Sequence, residues 1–200
     1  MGGVTSKFNA HKLKKFVDFG FIMVEKVVVK LNKLLPMYLI FYEKMVKNEI
    51  ALANISKNDN ILHIGCGPIP ATSILIIKNT KASVTGIDHD KSSVKQADIC
   101  ISKFNFSDKA NVKHAEATNF PVQNYDLIII SQGIKPYNRI LEYISRSMKQ
   151  NSRVILRSSS ADNIRLSKND VFLKDIFTIK KIIAQKQNGS LISILLNKKS

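Results

Sequence analysis

The stretch from Ile61 to Ile77, ILHIGCGPIPATSILII, constrains the fold more than any other part of the chain. A short apolar run, interrupted only by His63, ends in Gly65-Cys66-Gly67, and a second apolar run of helical length follows at once. Glycines between a strand and a helix let the main chain turn tightly and leave room for a ligand against the backbone. Pro68 and Pro70 then remove two amide donors that a pyrophosphate would need, and Ile69 crowds the approach. The turn therefore suits a nucleoside with a small tail better than a dinucleotide.

The rest of the chain from residue 60 repeats the strand-then-helix pattern. Strands are expected at Ile61–Ile64, Ser83–Ile87, Asn111–His114, Tyr125–Ile130, Arg153–Arg157, Phe177–Gln185 and Leu191–Asn197. Helices are expected at Pro70–Asn79, Lys91–Phe104, Tyr137–Met148 and Ser167–Lys174. Only Lys186–Ser190, with its Asn-Gly pair, separates the last two strands, which predicts a hairpin. Such a series gives an α/β fold with a mainly parallel sheet covered on both faces. Ligands of such sheets bind at the carboxyl ends of the strands.

Asp88 closes the second strand in VTGIDHD, about 20 residues beyond the glycine turn, where a carboxylate can accept both hydroxyl protons of a ribose. A turn acid or a helix N-cap is the alternative for the same residue. Glu116, in VKHAEATNF after the third strand, falls beside the same crevice, nearer the base.

Residues 1–56 are expected to form a helical N-terminal cap, ahead of a domain over 57–200. Leu13, Phe16, Val17, Gly20, Val24, Val27, Val28, Leu31 and Leu35 recur at helical spacing, and Pro36 marks a boundary or kink. A second helix from Met37 to Asn54 sets Tyr38, Phe41, Tyr42, Met45, Val46, Leu52 and Ala53 on one face. Glu49 lies in the middle of that apolar stripe. A carboxylate there costs free energy unless paired. It is either a base tuned by burial or a side chain that pairs with a lysine or reaches solvent.

The net charge of +16 invites a phosphate-rich partner, but the lysines are scattered and no Arg-rich or aromatic-interleaved stripe appears. Nucleic acid therefore ranks below a small molecule as partner. Cys66 and Cys100 form neither a disulfide framework nor a CxxC pair, and no His, Cys or acid cluster has metal-ligand spacing. The apolar stretch at residues 20–42 is broken by charges, so no membrane span is expected. With no secretory signal peptide, the expected compartment is the cytoplasm.

The motif order HIGCGPIP, GIDHD, HAEATNFP, YDLIIIS and MKQNSRVILR resembles that of class I S-adenosylmethionine-dependent methyltransferases. That resemblance implies a Rossmann-like seven-stranded sheet with a terminal antiparallel strand, and S-adenosylmethionine as cofactor. It places Gly65, Cys66, Gly67 and Pro68 at the methionine part, Asp88 and His89 at the ribose, and Glu116, Ala117 and Ser131 around the base and the crevice. His63 stands where those enzymes usually have Asp or Glu.

A narrower similarity is to nicotianamine synthases, whose turn reads G-x-G-P-L-P-x-T and which transfer the aminocarboxypropyl arm of the same cofactor. GIKPYNRILEYISRSMKQNSRVILRSSS is also similar to that family, and YEKMVKNEIALA looks like the segment holding its acid. By this similarity Glu49 is the candidate base. Arg157 is a candidate for a substrate carboxylate, and Tyr42, Lys135 and Tyr137 are expected near the mouth. His114 is read as an ordinary strand-end residue. Cys66, at a helix N-terminus, is a candidate for a lowered thiol pKa, although its slot mainly needs a small side chain. The leading expectation is methyl transfer to a small molecule, anionic or amino-acid-like. Aminocarboxypropyl transfer is the alternative, and a non-catalytic cofactor sensor or nucleic-acid binder is the third.

Overall fold

In a computed structural model of the protein, residues 35–159, 171–185 and 191–199 are described. The elements in chain order are α1 (Leu35–Ala53), β1 (Asn60–Ile64), α2 (Ala71–Thr80), β2 (Ser83–Asp88), α3 (Lys91–Lys103) and β3 (Ala110–His114). They continue with β4 (Leu127–Ile130), α4 (Tyr137–Ser147), β5 (Arg153–Ser159), α5 (Val171–Ile176), β6 (Phe177–Ala184) and β7 (Leu191–Lys198). Among the described residues seven strands make one sheet in the order β3-β2-β1-β4-β5-β7-β6. The first five strands pair in parallel, whereas β7 runs antiparallel between β5 and β6.

Side-chain alternation sends each central strand into two cores. Leu62, Ile64, Ile128, Ile130, Val154 and Leu156 pack with Ile140, Leu141 and Ile144 of α4. Ile61, Leu127, Ile129 and Ile155 pack with Met45 and Val46 of α1 and Ile74, Leu75 and Ile77 of α2. Each such aliphatic side chain contributes about 1.5–3 kcal/mol when fully buried. Asp90 caps α3 by accepting from the Ser92 amide at 2.9 Å. Arg153 ties the bottom of the sheet to the end of α1, donating to the Ala53 carbonyl and to the Asp59 carboxylate.

The chain travels outward from β1 through β2 to β3, then returns to place β4 on the other side of β1. That reversal of direction splays the following loops apart and creates a crevice above β1 and β4.

Two local expectations change. Tyr125 does not open β4, because Val122–Asn124 form a 3-10 turn and the strand begins at Leu127; Tyr125 is buried against Phe120 instead. Phe41 is on the outer side of α1, 54% exposed, with Met37 and Ile40 beside it. Pro36 sits in the first turn of α1, where the missing amide hydrogen costs nothing. The helix expected over residues 13–35 lies outside the described residues except for Leu35, as do the start of the Ser167 helix and the Asn188-Gly189 turn. No helix among the described residues is long and apolar enough to cross a membrane.

Candidate functional site

The crevice opens where β1 ends. The amides of Gly65 and Cys66 both donate to the Ile87 carbonyl, at 2.9 and 3.1 Å, which folds the turn back over β2. Gly65 and Gly67 take left-handed φ values of +74° and +66°. A Cβ on Gly65 would lie 3.0 Å from Ile134 Cγ2 and 3.3 Å from Ser131 Cβ, whereas one on Gly67 would meet nothing within 4 Å. Packing thus demands the first glycine, and the second borders open space. Gly65, Asp88, His89, Glu116, Ala117 and Ser131, all expected from sequence, line a cleft of about 440 Å³ together with Ile134 and Lys135.

Asp88 has a role the sequence did not reveal. Its Oδ2 accepts the Gly67 amide at 2.9 Å and its Oδ1 the Asp90 amide at 3.0 Å, with His89 Nδ1 3.5 Å from Oδ1. The carboxylate thereby pins the glycine turn to the end of β2. A carboxylate has about four acceptor positions, so capacity for hydroxyls in the cleft remains. The N-cap alternative falls to Asp90.

Cys66 does not line the cleft. It is buried under the turn, and a Cβ on Gly86 would sit 3.1 Å from its Sγ. Burial, reinforced by the Asp88 charge, pushes its thiol up to about 12, the reverse of the lowered value a helix N-terminus suggested. Pro68 also faces away from the cleft, and its carbonyl accepts a weak bond from Cys100 Sγ at 3.7 Å.

Behind the cleft wall runs a polar row. Arg157 on β5 stands opposite Ser193 on β7, and Ser131 directly follows β4. Glu49 descends on this row from α1. Arg157 Nε donates to Glu49 Oε1 at 2.9 Å and Nη2 to Oε2 at 2.6 Å, while Ser193 Oγ donates to Oε1 at 2.7 Å. Gln185 Nε2 donates to Ser193 Oγ at 3.0 Å, and Asn48 Nδ2 to Gln185 Oε1 at 2.9 Å. Glu49 is 0% exposed and Arg157 6%. It therefore neither reaches solvent nor pairs with a lysine, the alternatives to a base that its position suggested; it pairs with Arg157.

His63, 2% exposed, bridges the two regions. Its Nδ1 is 3.1 Å from Ser73 Oγ and its Nε2 3.0 Å from Ser131 Oγ. Burial, helped by the nearby Arg157 charge, pushes its pKa down to about 3, so the ring is neutral.

Tyr42 lies two turns along α1 from Glu49, accepts the Tyr38 hydroxyl at 3.2 Å and packs on the core. Lys135 borders the cleft. Tyr137 is partly buried against the core under α4. His114 Nε2 donates to the His89 carbonyl at 2.9 Å, a strand-end contact as expected. Sequence reasoning missed Ser73, Ser193 and Gln185. The available signal for Ser193 was a hydroxyl alternating with isoleucine and leucine in LISILL. Among the described residues no group of three His, Cys, Asp or Glu side chains could hold a metal ion.

The sheet order and the acid-lined cleft at its reversal point define a Rossmann-like α/β domain. A family model described as a methyltransferase domain matches residues 55–192, and the chain belongs to that family. Among solved structures, a Glu→Gln variant of MtNAS superposes with a TM-score of 0.82 at 20% identity, covering 98% of this chain and 78% of that one. The same variant in complex with S-adenosylmethionine gives a TM-score of 0.78 at 21% identity, over 94% and 76% of the two chains. Among curated proteins, L-histidine 2-aminobutanoyltransferase of Yersinia pestis is 23% identical over 124 residues, 60% of this chain and 45% of that protein. The match thus spans under half the length of that relative.

Proposed function

We propose that this protein is an S-adenosylmethionine-dependent transferase whose acceptor is a small, amino-acid-like molecule. The cleft volume of about 440 Å³ falls in the range of roughly 300–1,000 Å³ of small-molecule sites. Asp88 and Glu116 offer acceptors for ribose and an adenine amine, and open space beside Gly67 lets a ligand approach the backbone. When bound, the cofactor supplies a carbon made electrophilic by its positively charged sulfur, so alignment with a nucleophile provides much of the rate.

The buried pair of Glu49 and Arg157 favours transfer of the aminocarboxypropyl arm to an amine. Arg157 presents a planar fork that suits a carboxylate, and Glu49 fills that fork in this structure. An acceptor carboxylate competing for the fork frees Glu49 to take the proton that an attacking amine loses. The likeness to MtNAS and to an aminobutanoyltransferase supports the same reading. Methyl transfer to a small molecule is the second reading, favoured by the family model.

In this account residues 1–56 form a cap, of which α1 delivers Glu49, over a donor-binding domain at 57–200. Both cysteines are free, in keeping with a reducing cytoplasm. Titration calorimetry tests the cofactor assignment. One site for S-adenosylmethionine or S-adenosylhomocysteine, with NAD far weaker, is the expected result; no heat from either ligand overturns it.

A further inference from the structure

We infer that His63 and Ser131 make an uncharged end wall to the cleft, so that the site grips a nucleoside thioether by its ribose and base and gives no ionic hold to an ammonium group on its tail. The inference rests on the cofactor reading above and concerns which part of that ligand the protein recognises.

The geometry separates the two ends. Asp88 ends β2 and Ser131 follows β4, with β1 between them. Two strand spacings set them about 10 Å apart, enough to keep the cleft acids away from a group at Ser131. Glu116 follows β3 and is farther still. At the Ser131 end the bordering side chains are Gly65, Ile134 and Lys135, none of them anionic. Directly behind Ser131 stands His63, closed on its other side by the Ser73 hydroxyl. Beyond it lies the one local anion, Glu49, which is fully buried and held by Arg157 and Ser193.

A neutral imidazole here has a physical reason. The buried row holds one cation, Arg157, and one anion, Glu49. A second carboxylate at position 63 would compete for Arg157 or stand unpaired, and either is costly in a low-dielectric interior. The neutral ring has one donor and one acceptor nitrogen, so it can lend Ser131 Oγ a proton or take one. The end wall adapts to a donor or an acceptor but supplies no charge.

The test compares S-adenosylhomocysteine with its desamino analogue, in which a thiobutanoate tail keeps the carboxylate and lacks the ammonium. Calorimetry on the full chain should give dissociation constants within about fivefold of each other. His63→Asp should widen that ratio beyond about tenfold in favour of S-adenosylhomocysteine. The wild-type ratio decides even where the variant does not fold. Analogue binding weakened more than fivefold in the wild type would overturn the inference and leave the cofactor reading standing. Failure of both ligands to bind would overturn the cofactor reading, and the inference with it.

Discussion

The Arg157 guanidinium forks onto the Glu49 carboxylate across 108 residues of chain, with Nε to Oε1 at 2.9 Å and Nη2 to Oε2 at 2.6 Å. Helix α1 is thereby fastened to β5 above the sheet, and a carboxylate is kept ionised-ready among leucines and isoleucines. Removing one member of such a pair leaves the other buried and uncompensated, at a cost of about 3–5 kcal/mol. Arg157→Met should lose that much in urea unfolding. Arg157→Lys should lose less, because charge is kept while the two-pronged geometry goes.

Asp88 serves both the turn and the cleft, and two substitutions separate the roles. Asp88→Ala should weaken S-adenosylhomocysteine binding by about 1.5–3 kcal/mol, the worth of hydrogen bonds to a charged group. Asp88→Asn keeps one oxygen for the Gly67 amide, so it should hold the turn better in thermal unfolding while still losing affinity. Unchanged affinity in both variants would remove Asp88 from the ribose site.

The two glycines should respond differently to a methyl group. Both have left-handed φ, a strain of about 1–3 kcal/mol for other residues. Only Gly65→Ala also drives a Cβ against Ile134 and Ser131. Thermal melts should therefore show a larger loss for Gly65→Ala than for Gly67→Ala. Equal losses would mean that the loop after β4 does not pack on the turn as described.

Much of this architecture was legible from one sequence because strand and helix periods alternate cleanly after residue 60. Observed strands start and end within a residue or two of those expected, Tyr125 excepted, where the 3-10 turn at Val122–Asn124 takes the chain that an apolar pattern assigned to β4. The cleft residues were legible because they cluster at strand ends, and Gly65, Asp88 and Glu116 fall there by position alone. The partner of Glu49 was not. Helical spacing showed that the side chain points inward, but nothing local says which strand faces it. Arg157, Ser193 and Gln185 arrive through sheet order and register, which are long-range pairings. Cys66 misled for a related reason: proximity to a helix start was visible, while burial against Gly86 and Asp88 was not.

His63 predicts a pH dependence of stability. Its folded pKa is held near 3, below the unfolded value near 6.5, so the unfolded chain binds one more proton between those limits. Stability contributed by the neutral ring is present above about pH 6.5 and is lost as pH falls towards 3, with a slope of up to about 1.4 kcal/mol per pH unit. Urea unfolding between pH 7 and 5 should show this loss, and His63→Gln should flatten it. An equal slope in the variant would assign the loss to other groups.

The most direct test of the account is the nucleoside left after turnover. Labelled S-adenosylmethionine is incubated with the enzyme and a pool of cell metabolites, and the nucleosides are resolved against a no-enzyme blank. Transfer of the aminocarboxypropyl arm leaves methylthioadenosine, and methyl transfer leaves S-adenosylhomocysteine. The account predicts enzyme-dependent methylthioadenosine, cut at least about tenfold by Glu49→Gln with donor binding retained, since loss of a general base costs on the order of 10²–10⁴ in rate. Enzyme-dependent S-adenosylhomocysteine with no methylthioadenosine above the blank would contradict it.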